Sequence, residues 1–493
     1  MDAAMDGGQG GIVVGLLSFL HGQPSYFRYN DIWRGLVLRM QEQLLVFDPR
    51  QALRAATCGL GAAAVFALAG CGNNYRPVVN AINPVGPSSQ PSVYAVALAD
   101  PGNNQNGLVT VINVFGEEIV ATAPVAPKPS YLNVDSSAQS YVLHSNSPLI
   151  DSFTGNDTLN PTSTNQVRQS SLDAGACGTG AVPNCPNQVT SNGASGPIFI
   201  TEPALGNVAV MGAGTPPTIK QELPVPSNPV YTIANPTATR VYTLTQGSAP
   251  GTSTGIAYGI EAGAATANNA ISATIPVGVN PIYGVMSADA RRVFVMNKGD
   301  GTVSVIDTQQ NALDSTTPSI AVGQSPLWAD IAPNINELVV LNGGDGTGNG
   351  SLSIVNIALC SALALPGNTT CDPNHPTDAA NFGKVLATVP VGAAPVQVAV
   401  LNDTNNPGKA RAYIANAGDG TVSVIDLNTM TKIKDIQVGG KLNWIQAVPG
   451  APTGKILVTA SDSQLLTIIN TDTDTLSTTV RLQGYGVAVR VAQ

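Results

Sequence analysis

The sequence VFVMNKGDGTVSVID spans Val293–Asp307, and AYIANAGDGTVSVID spans Ala412–Asp426. Ten of the fifteen positions are identical, although the two segments begin 119 residues apart. A looser third copy begins at Leu338 with LVVLNGGDGT. Each copy has two short, mostly β-branched apolar runs around an Asp-Gly pair, which supplies the positive φ of a tight turn. The repeat therefore predicts a β-hairpin of two adjacent antiparallel strands.

A second recurring element, a Val-Gly-x-x-Pro phrase, precedes the hairpins. Clean copies begin at Val277, Val322 and Val391, degenerate copies at Val125 and Val225, and a copy without the proline at Val438. The steps from 225 to 277, 277 to 322 and 391 to 438 are 52, 45 and 47 residues. The step from 322 to 391 is 69 residues, which indicates an inserted loop, and the step of 100 residues from 125 to 225 fits two units.

A period near 45 residues with four strand-sized runs is typical of one blade of a β-propeller. Eight hairpins are counted, and they start at Val93, Tyr141, Ile198, Val241, Val293, Leu338, Ala412 and Ile456. The last apolar run, Val487–Val491, resembles the opening strand of a blade but has no hairpin after it. We expect this run to complete the first blade and to close the ring.

These motifs resemble the YVTN-family β-propeller repeat, which combines a YVTN-like strand, a GSGTVSVID-like hairpin and an IPVG-x-x-P phrase. The resemblance covers about residues 90–493 and is strongest over 277–480. It implies an all-β propeller of four-stranded blades. Family members usually have seven blades, so the expected number is seven to eight. The family is defined by its scaffold, so the resemblance does not imply a function.

The first 70 residues have the features of an export leader. Arg50 and Arg54 precede a short apolar stretch, 60–67, which ends in Leu-Ala-Gly-Cys71. A basic flank, a short apolar core and small residues before the cleavage point are typical of a secretory signal. The ending resembles the lipobox of bacterial lipoproteins, which implies that Cys71 is lipidated. Residues 71–91 are rich in Pro, Asn and Ser, which predicts a semi-extended tether before the propeller domain at 92–493. Residues 1–39 show no targeting pattern, and the expected start of the leader is Met40.

Four further cysteines form two close pairs, Cys177 with Cys185 and Cys360 with Cys371. Each pair lies in a long irregular segment, near 154–195 and 357–385. In an exported protein such pairs favour disulfides that staple insertion loops. A zinc site is the alternative, but neither pair has CxxC spacing, and the only histidines after Cys71 are His144 and His375.

Candidate catalytic residues are not apparent. The sequence has no G-x-S-x-G elbow, no H-E-x-x-H and no phosphate-binding loop, so no catalytic residue, metal ligand or cofactor is assigned. His144 is expected to be a solvated or hydrogen-bonded strand residue, and His375 a surface residue. The net charge of −9 and the 11% of charged residues give no basic stripe, which disfavours binding to nucleic acid.

One position of the repeat is enriched in aromatic residues. Six residues after each opening Val stand Tyr131, Tyr231, Tyr283, Trp328, Gln397 and Trp444, with Ala488 last. Aromatic residues make up only 5% of the chain, so five aromatic side chains in seven places are unusual. If the opening strand is innermost, these side chains encircle the axis. Steric filling between blades is the first explanation. The alternative is an aromatic funnel for a sugar, a peptide or another flat or apolar group.

The leading hypothesis is therefore an exported, lipid-anchored β-propeller that serves as a binding or scaffold module in the bacterial cell envelope. We expect a monomer, attached to the membrane only by its lipid, with an envelope protein, peptide or glycan as partner. The alternatives are a propeller enzyme, similar to lactone hydrolases or redox enzymes, and a structural surface-layer component. The enzyme alternative rests on analogy of fold alone.

Overall fold

The structure, a computed structural model, describes residues 93–491 apart from several internal segments. The segments outside the description are 163–164, 180–183, 192–195, 213–214, 235–239, 250, 263–268, 359–379, 403–408 and 451–453. The predicted leader, Cys71 and the tether lie outside the described residues, as do Cys360, Cys371 and His375.

Among the described residues, regular structure in the first half of the propeller is entirely β. Blade 1 contains β1 (Tyr94–Asp100), β2 (Asn106–Asn113) and β3 (Glu118–Pro127). Blade 2 contains β4 (Pro129–Val134), β5 (Gln139–His144), β6 (Ser147–Thr154) and β7 (Arg168–Ser171). Blade 3 contains β8 (Gln188–Thr190), β9 (Ile198–Glu202), β10 (Asn207–Gly212) and β11 (Thr218–Pro224). Blade 4 contains β12 (Pro229–Ala234), β13 (Arg240–Thr245), β14 (Thr254–Glu261) and β15 (Ala270–Val279).

The second half continues the pattern, with one short 3-10 turn at Pro333–Ile335. Blade 5 contains β16 (Pro281–Met286), β17 (Arg292–Asn297), β18 (Thr302–Asp307), β19 (Ala312–Leu313) and β20 (Ser319–Ala321). Blade 6 contains β21 (Pro326–Ala332), β22 (Glu337–Asn342), β23 (Asn349–Asn356) and β24 (Val385–Ala393). Blade 7 contains β25 (Pro395–Asn402), β26 (Ala410–Asn416), β27 (Thr421–Asp426) and β28 (Thr431–Gln437). Blade 8 contains β29 (Leu442–Val448), β30 (Lys455–Ala460), β31 (Leu465–Asn470) and β32 (Thr475–Arg481), and β33 (Tyr485–Val491) follows it.

The sheets form an eight-bladed β-propeller, which confirms the predicted fold class. Within blades 2 to 8 the strands pair antiparallel in chain order, and in blade 5 the fourth position is shared by β19 and β20. Blade 1 has the order β3-β2-β1-β33, so its innermost strand is supplied by the C-terminal run. In that pairing Ala97 lies opposite Val489. The inner strands contact one another in sequence around the axis, and the ring closes between β29, β33 and β4.

The apolar core is divided among the blade interfaces. Eight buried clusters occur in the described residues, and each joins two neighbouring blades. Val422 of blade 7, for example, packs with Ile445 of blade 8 in one cluster. A single four-stranded sheet would leave both of its apolar faces in water, so burial is complete only when the ring is closed.

The repeated hairpin is held by one hydrogen-bond network, which explains why its sequence recurs. In blade 5, Asn297 donates from Nδ2 to Thr302 Oγ1 at 3.0 Å and to Ser304 Oγ at 2.9 Å. Asn416 makes the equivalent pair of bonds in blade 7, at 3.1 and 2.9 Å. Both asparagines are fully buried. A buried amide needs such partners, because an unmet donor costs about 1–3 kcal/mol.

The glycine of the Val-Gly-x-x-Pro phrase lies against this asparagine. A Cβ on Gly392 would lie 2.6 Å from Asn416 Cγ and 2.5 Å from Asp419 Oδ2. Asp419, from the Asp-Gly turn, accepts the N–H of Ala393 at 2.6 Å. The phrase and the hairpin are therefore two halves of one contact, and the glycine is required by close approach.

The predicted insertion near 154–195 needs correction. This segment contains β7, the outer strand of blade 2, and β8, the inner strand of blade 3. Both strands escaped prediction because β8 has only three residues and β7 is polar and largely exposed. Between them, Cys177 and Cys185 form a disulfide, as predicted.

Candidate functional site

Six residues predicted for the axis lie at one level of the ring. Each is the third residue of an inner strand, and they are Tyr131, Tyr231, Tyr283, Trp328, Gln397 and Trp444. In every case the opposite residue is the last but one of the second strand, as in the pairing of Tyr283 with Met296. The common register results from the shared phrase before each strand.

The eighth member of this level is Gln188, which the sequence argument missed. It lies opposite Thr201, the last residue but one of β9, so it occupies the equivalent position in blade 3. A signal for it exists, because Val182-Pro-Asn-Cys-Pro186 is a degenerate copy of the phrase and Gln188 follows Val182 by six residues. Ala488, opposite Leu98, holds the position in blade 1.

The five aromatic side chains of this level form one connected set, which we call the aromatic collar. Tyr283 stacks on Trp328, with ring centroids 3.9 Å apart, and Tyr231 lies 4.8 Å from Tyr283. Trp444 makes edge contacts with Trp328 at 5.8 Å and with Tyr131 at 6.4 Å. The last two contacts reach past blades 7 and 1, so the rings meet across the axis and not only at blade interfaces.

The two glutamines of the level have a different role. Gln188 Oε1 accepts the N–H of Thr232 at 3.0 Å, and Gln397 Oε1 accepts the N–H of Ile445 at 3.0 Å. Both partners lie on the inner strand of the next blade. This strand is at the end of its sheet, so one of its edges is not paired with another strand. Both glutamines are buried and join neighbouring blades. Gln397 is therefore a structural member of the predicted funnel.

Two charged residues lie on inner strands, each two residues after the collar level. Neither of them was assigned from the sequence alone. Asp330 follows Trp328 by two residues, and its oxygens accept the N–H of Val400 at 2.7 Å and of Ile331 at 2.8 Å. Burial raises the pKa of Asp330 to about 6, although these two hydrogen bonds and the charge of Arg490 act to lower it. Burial, followed by the charge of Asp330, also raises the pKa of Tyr283.

Arg490 supplies the positive charge. It follows Ala488 by two residues on β33, and its Cζ lies 4.5 Å from the centroid of the Trp444 ring. This distance is typical of a cation–π contact. Arg490 Nε is buried and has no acceptor among the described residues. None of the ion pairs found in the described ranges includes Arg490.

Four of the five collar rings, together with Asp330 and Arg490, border a cavity of about 440 Å³ at the axis, here called the central cavity. Its lining includes Tyr283, Trp328, Asp330 and Arg490, together with polar side chains such as Asn133. An aromatic wall beside a few fixed polar groups is the usual composition of a small-molecule site, and the volume lies in the usual range of about 300–1,000 Å³.

His144 lies outside the central cavity. The side chain is fully buried, its Nδ1 lies 3.1 Å from the carbonyl oxygen of Pro127, and its Nε2 lies 3.1 Å from Asp151 Oδ2. It is thus a hydrogen-bonded strand residue, and the solvated alternative is wrong. Within the described residues, no three His, Cys, Asp or Glu side chains are grouped so that they could hold a metal ion. No helix in the described ranges is long and apolar enough to cross a membrane.

Comparison with known proteins supports the fold. The structure is similar to that of the dihydro-heme d1 dehydrogenase NirN in complex with DHE, at 11% sequence identity and a TM-score of 0.51, over 82% of this chain and 76% of NirN. It is also similar to apo AztD from Citrobacter koseri, at 12% identity and a TM-score of 0.49, over 82% and 99% of the two chains. Hydrazine synthase from Kuenenia stuttgartiensis matches at 16% identity and a TM-score of 0.42, over 62% and 88%.

No family model and no curated protein sequence matches the chain. At 11% identity the similarity to NirN concerns the fold alone, and the other two similarities are too weak to support an inference. The comparisons thus support a β-propeller, and the YVTN resemblance and the lipoprotein leader stay predictions.

Proposed function

We propose that this chain is an exported, lipid-anchored β-propeller that binds a small ligand in its central cavity. The observation that carries the proposal is the meeting of the aromatic collar with Arg490, a partly buried arginine whose buried Nε has no acceptor among the described residues, at one concave surface. Packing alone explains rings between blades, but it does not explain a guanidinium with an unmet donor beside them, because such groups are costly to bury.

The rigidity of the scaffold supports this role. Each residue of the site lies on an inner strand, and each inner strand is fixed by its own blade and by the apolar clusters on both sides. Sites built on strands are held more accurately than sites on loops, so little entropy is lost when a ligand binds. The proposed role in the envelope is that of a ligand-binding module.

Native mass spectrometry of the full chain, isolated from its own cell envelope, tests the proposal. The expected result is a co-purified small molecule that is lost in Arg490→Gln and kept in Arg481→Gln. Arg481 is an exposed arginine on β32, so this variant controls for the change in net charge. A wild-type protein without any bound small molecule, or equal retention in both variants, would contradict cavity binding.

The lipid anchor has its own test. The disulfide at Cys177–Cys185 is consistent with an exported protein, because such bonds persist in oxidising compartments. Metabolic labelling with a fatty-acid analogue should mark the wild-type chain and fail to mark Cys71→Ser. Labelling of Cys71→Ser at the wild-type level would exclude Cys71 as the lipidated residue.

A further inference from the structure

We propose that the ligand of the central cavity is a small carboxylate with a planar ring, bound through Arg490 and the aromatic collar. This inference rests on the proposed function, because it names the chemical class that the same cavity takes. Three features of the described lining support it: the guanidinium of Arg490, the rings of the aromatic collar and the carboxylate of Asp330.

The cation selects an oxyanion. The guanidinium of Arg490 presents donors in a planar fork that fits a carboxylate. Its contact with Trp444 fixes the plane of the fork and uses no donor. A carboxylate can accept two parallel N–H···O bonds from this fork and balance its charge, whereas a neutral sugar leaves the charge unbalanced.

The aromatic collar selects a flat body. Tyr231, Tyr283 and Trp328 form a continuous row, with centroid separations of 4.8 and 3.9 Å, along the wall of the cavity. These side chains are only partly buried, so their remaining surface faces the cavity. A planar ring can cover that surface in stacked or edge geometry, whereas a puckered ring makes fewer close contacts.

Asp330 limits the charge of the ligand to about one. Its carboxylate lines the same cavity and is fixed by the two backbone N–H groups of Ile331 and Val400. Because Arg490 and Asp330 carry opposite charges on the same wall, a dianion such as a phosphate monoester would bring two uncompensated negative charges, against one for a carboxylate. The cavity volume of about 440 Å³ also suits a compact molecule.

Isothermal titration of the full chain with four matched probes tests the class. The probes are 4-hydroxybenzoate, its uncharged amide 4-hydroxybenzamide, the puckered analogue 4-hydroxycyclohexanecarboxylate, and the dianion phenyl phosphate. We expect 4-hydroxybenzoate to bind about tenfold or more tightly than the other three, as the loss of a charge-assisted hydrogen bond predicts for the amide.

Variants then locate the site. Arg490→Gln should weaken 4-hydroxybenzoate about tenfold or more, Arg490→Lys should weaken it less because the charge is kept, and Arg481→Gln should leave it unchanged. Fluorescence of Trp328 and Trp444 reports the same event, and circular dichroism checks that each variant is folded.

The outcomes separate the two proposals. Equal or tighter binding of the amide, the puckered acid or the phosphate, abolished by collar substitutions, overturns the ligand class and leaves cavity binding intact. Binding of 4-hydroxybenzoate that survives Arg490→Gln also overturns the class. If no probe binds, the class is wrong, and the co-purification experiment decides the proposed function separately.

Discussion

The hairpins of blades 5 and 7 and the inner strands around the axis differ in how they use the repeat. The hairpins keep Asn, Gly, Asp, Thr and Ser at fixed places, and the same hydrogen bonds form in both blades. The inner strands share one level around the axis, but the residue at this level changes from blade to blade among Ala, Tyr, Gln and Trp. A contact confined to one blade can recur unchanged in another blade, whereas side chains at the axis meet each other once. The repeat therefore marks structure, and departures from it at the axis mark the candidate site.

The largest effect is expected where the phrase meets the hairpin. Gly392→Ala places a Cβ 2.5–2.6 Å from Asn416 and Asp419, so it should lower the free energy of unfolding by about 3 kcal/mol, at the upper end of overpacking effects. Gly348→Ala is the matched control, since its Cβ would lie at an ordinary 3.4 Å from its nearest neighbour, an oxygen of Asp345. Denaturant unfolding compares the two variants. Equal stability would contradict the claim that close approach between the phrase and the hairpin requires a glycine at position 392.

Blade 3 departs from the repeated hairpin. Glu202 stands where blades 5 and 7 have asparagine at the end of the second strand. Burial, the neighbouring Glu222 and the charge of Asp173 raise the pKa of Glu202 to about 8. A raised folded-state pKa means that the protonated form is favoured in the fold. Its contribution to stability is thus present below the ordinary pKa of 4.5 and is lost as the pH rises through about 8.

The expected stability of the wild type therefore falls between pH 5 and 9, by at most about 1.4 kcal/mol per pH unit for this group. Glu202→Gln, which resembles the protonated acid, should flatten the curve, and the exposed Glu118→Gln should not. Thermal unfolding over this pH range measures the slopes. A slope that is unchanged in Glu202→Gln would show that Glu202 is not the titrating group.

At the axis the effect should appear in binding. Tyr283→Ala and Trp328→Ala should each weaken 4-hydroxybenzoate about five- to tenfold, since one aromatic pair contributes about 0.5–1.5 kcal/mol. Each should cost less stability than Gly392→Ala, because both rings are only partly buried. A large loss of stability with unchanged affinity would show that the collar serves packing between blades and not ligand binding.

The smallest effect concerns pH and Asp330. The pKa of Asp330, at about 6, lies near neutrality, whereas the raised pKa of Tyr283 keeps its hydroxyl protonated over this range. Lowering the pH from 7.5 to 5.5 passes its pKa of about 6, removes a negative charge and should tighten 4-hydroxybenzoate about two- to threefold. Titration of Asp330→Asn should show no such dependence; if it does, another group is responsible.

Much of the fold follows from the sequence, and the reason is the repeat. All eight hairpin starts proposed from sequence fall at the second strand of a blade, and the C-terminal run closes the ring. The prediction failed at β7 and β8, where short polar strands are held by tertiary pairing and not by their own apolar pattern.

The candidate site was predicted in part. Counting six residues from each opening Val found the level of the collar, and the same count from Val182 would have found Gln188. Asp330 and Arg490 lie on blades 6 and 1 and are 160 residues apart in sequence. Only the closed ring places both on one cavity, so no local motif connects them. Whether a glutamine joins blades or faces a ligand also depends on its partner, as Gln397 shows.

A crystal structure of the full chain with bound 4-hydroxybenzoate would locate the ligand itself. We expect the carboxylate within hydrogen-bond distance of the Arg490 guanidinium and the ring against Tyr283 and Trp328. A probe bound at another surface, or bound in the cavity with its carboxylate turned away from Arg490, would contradict this expectation.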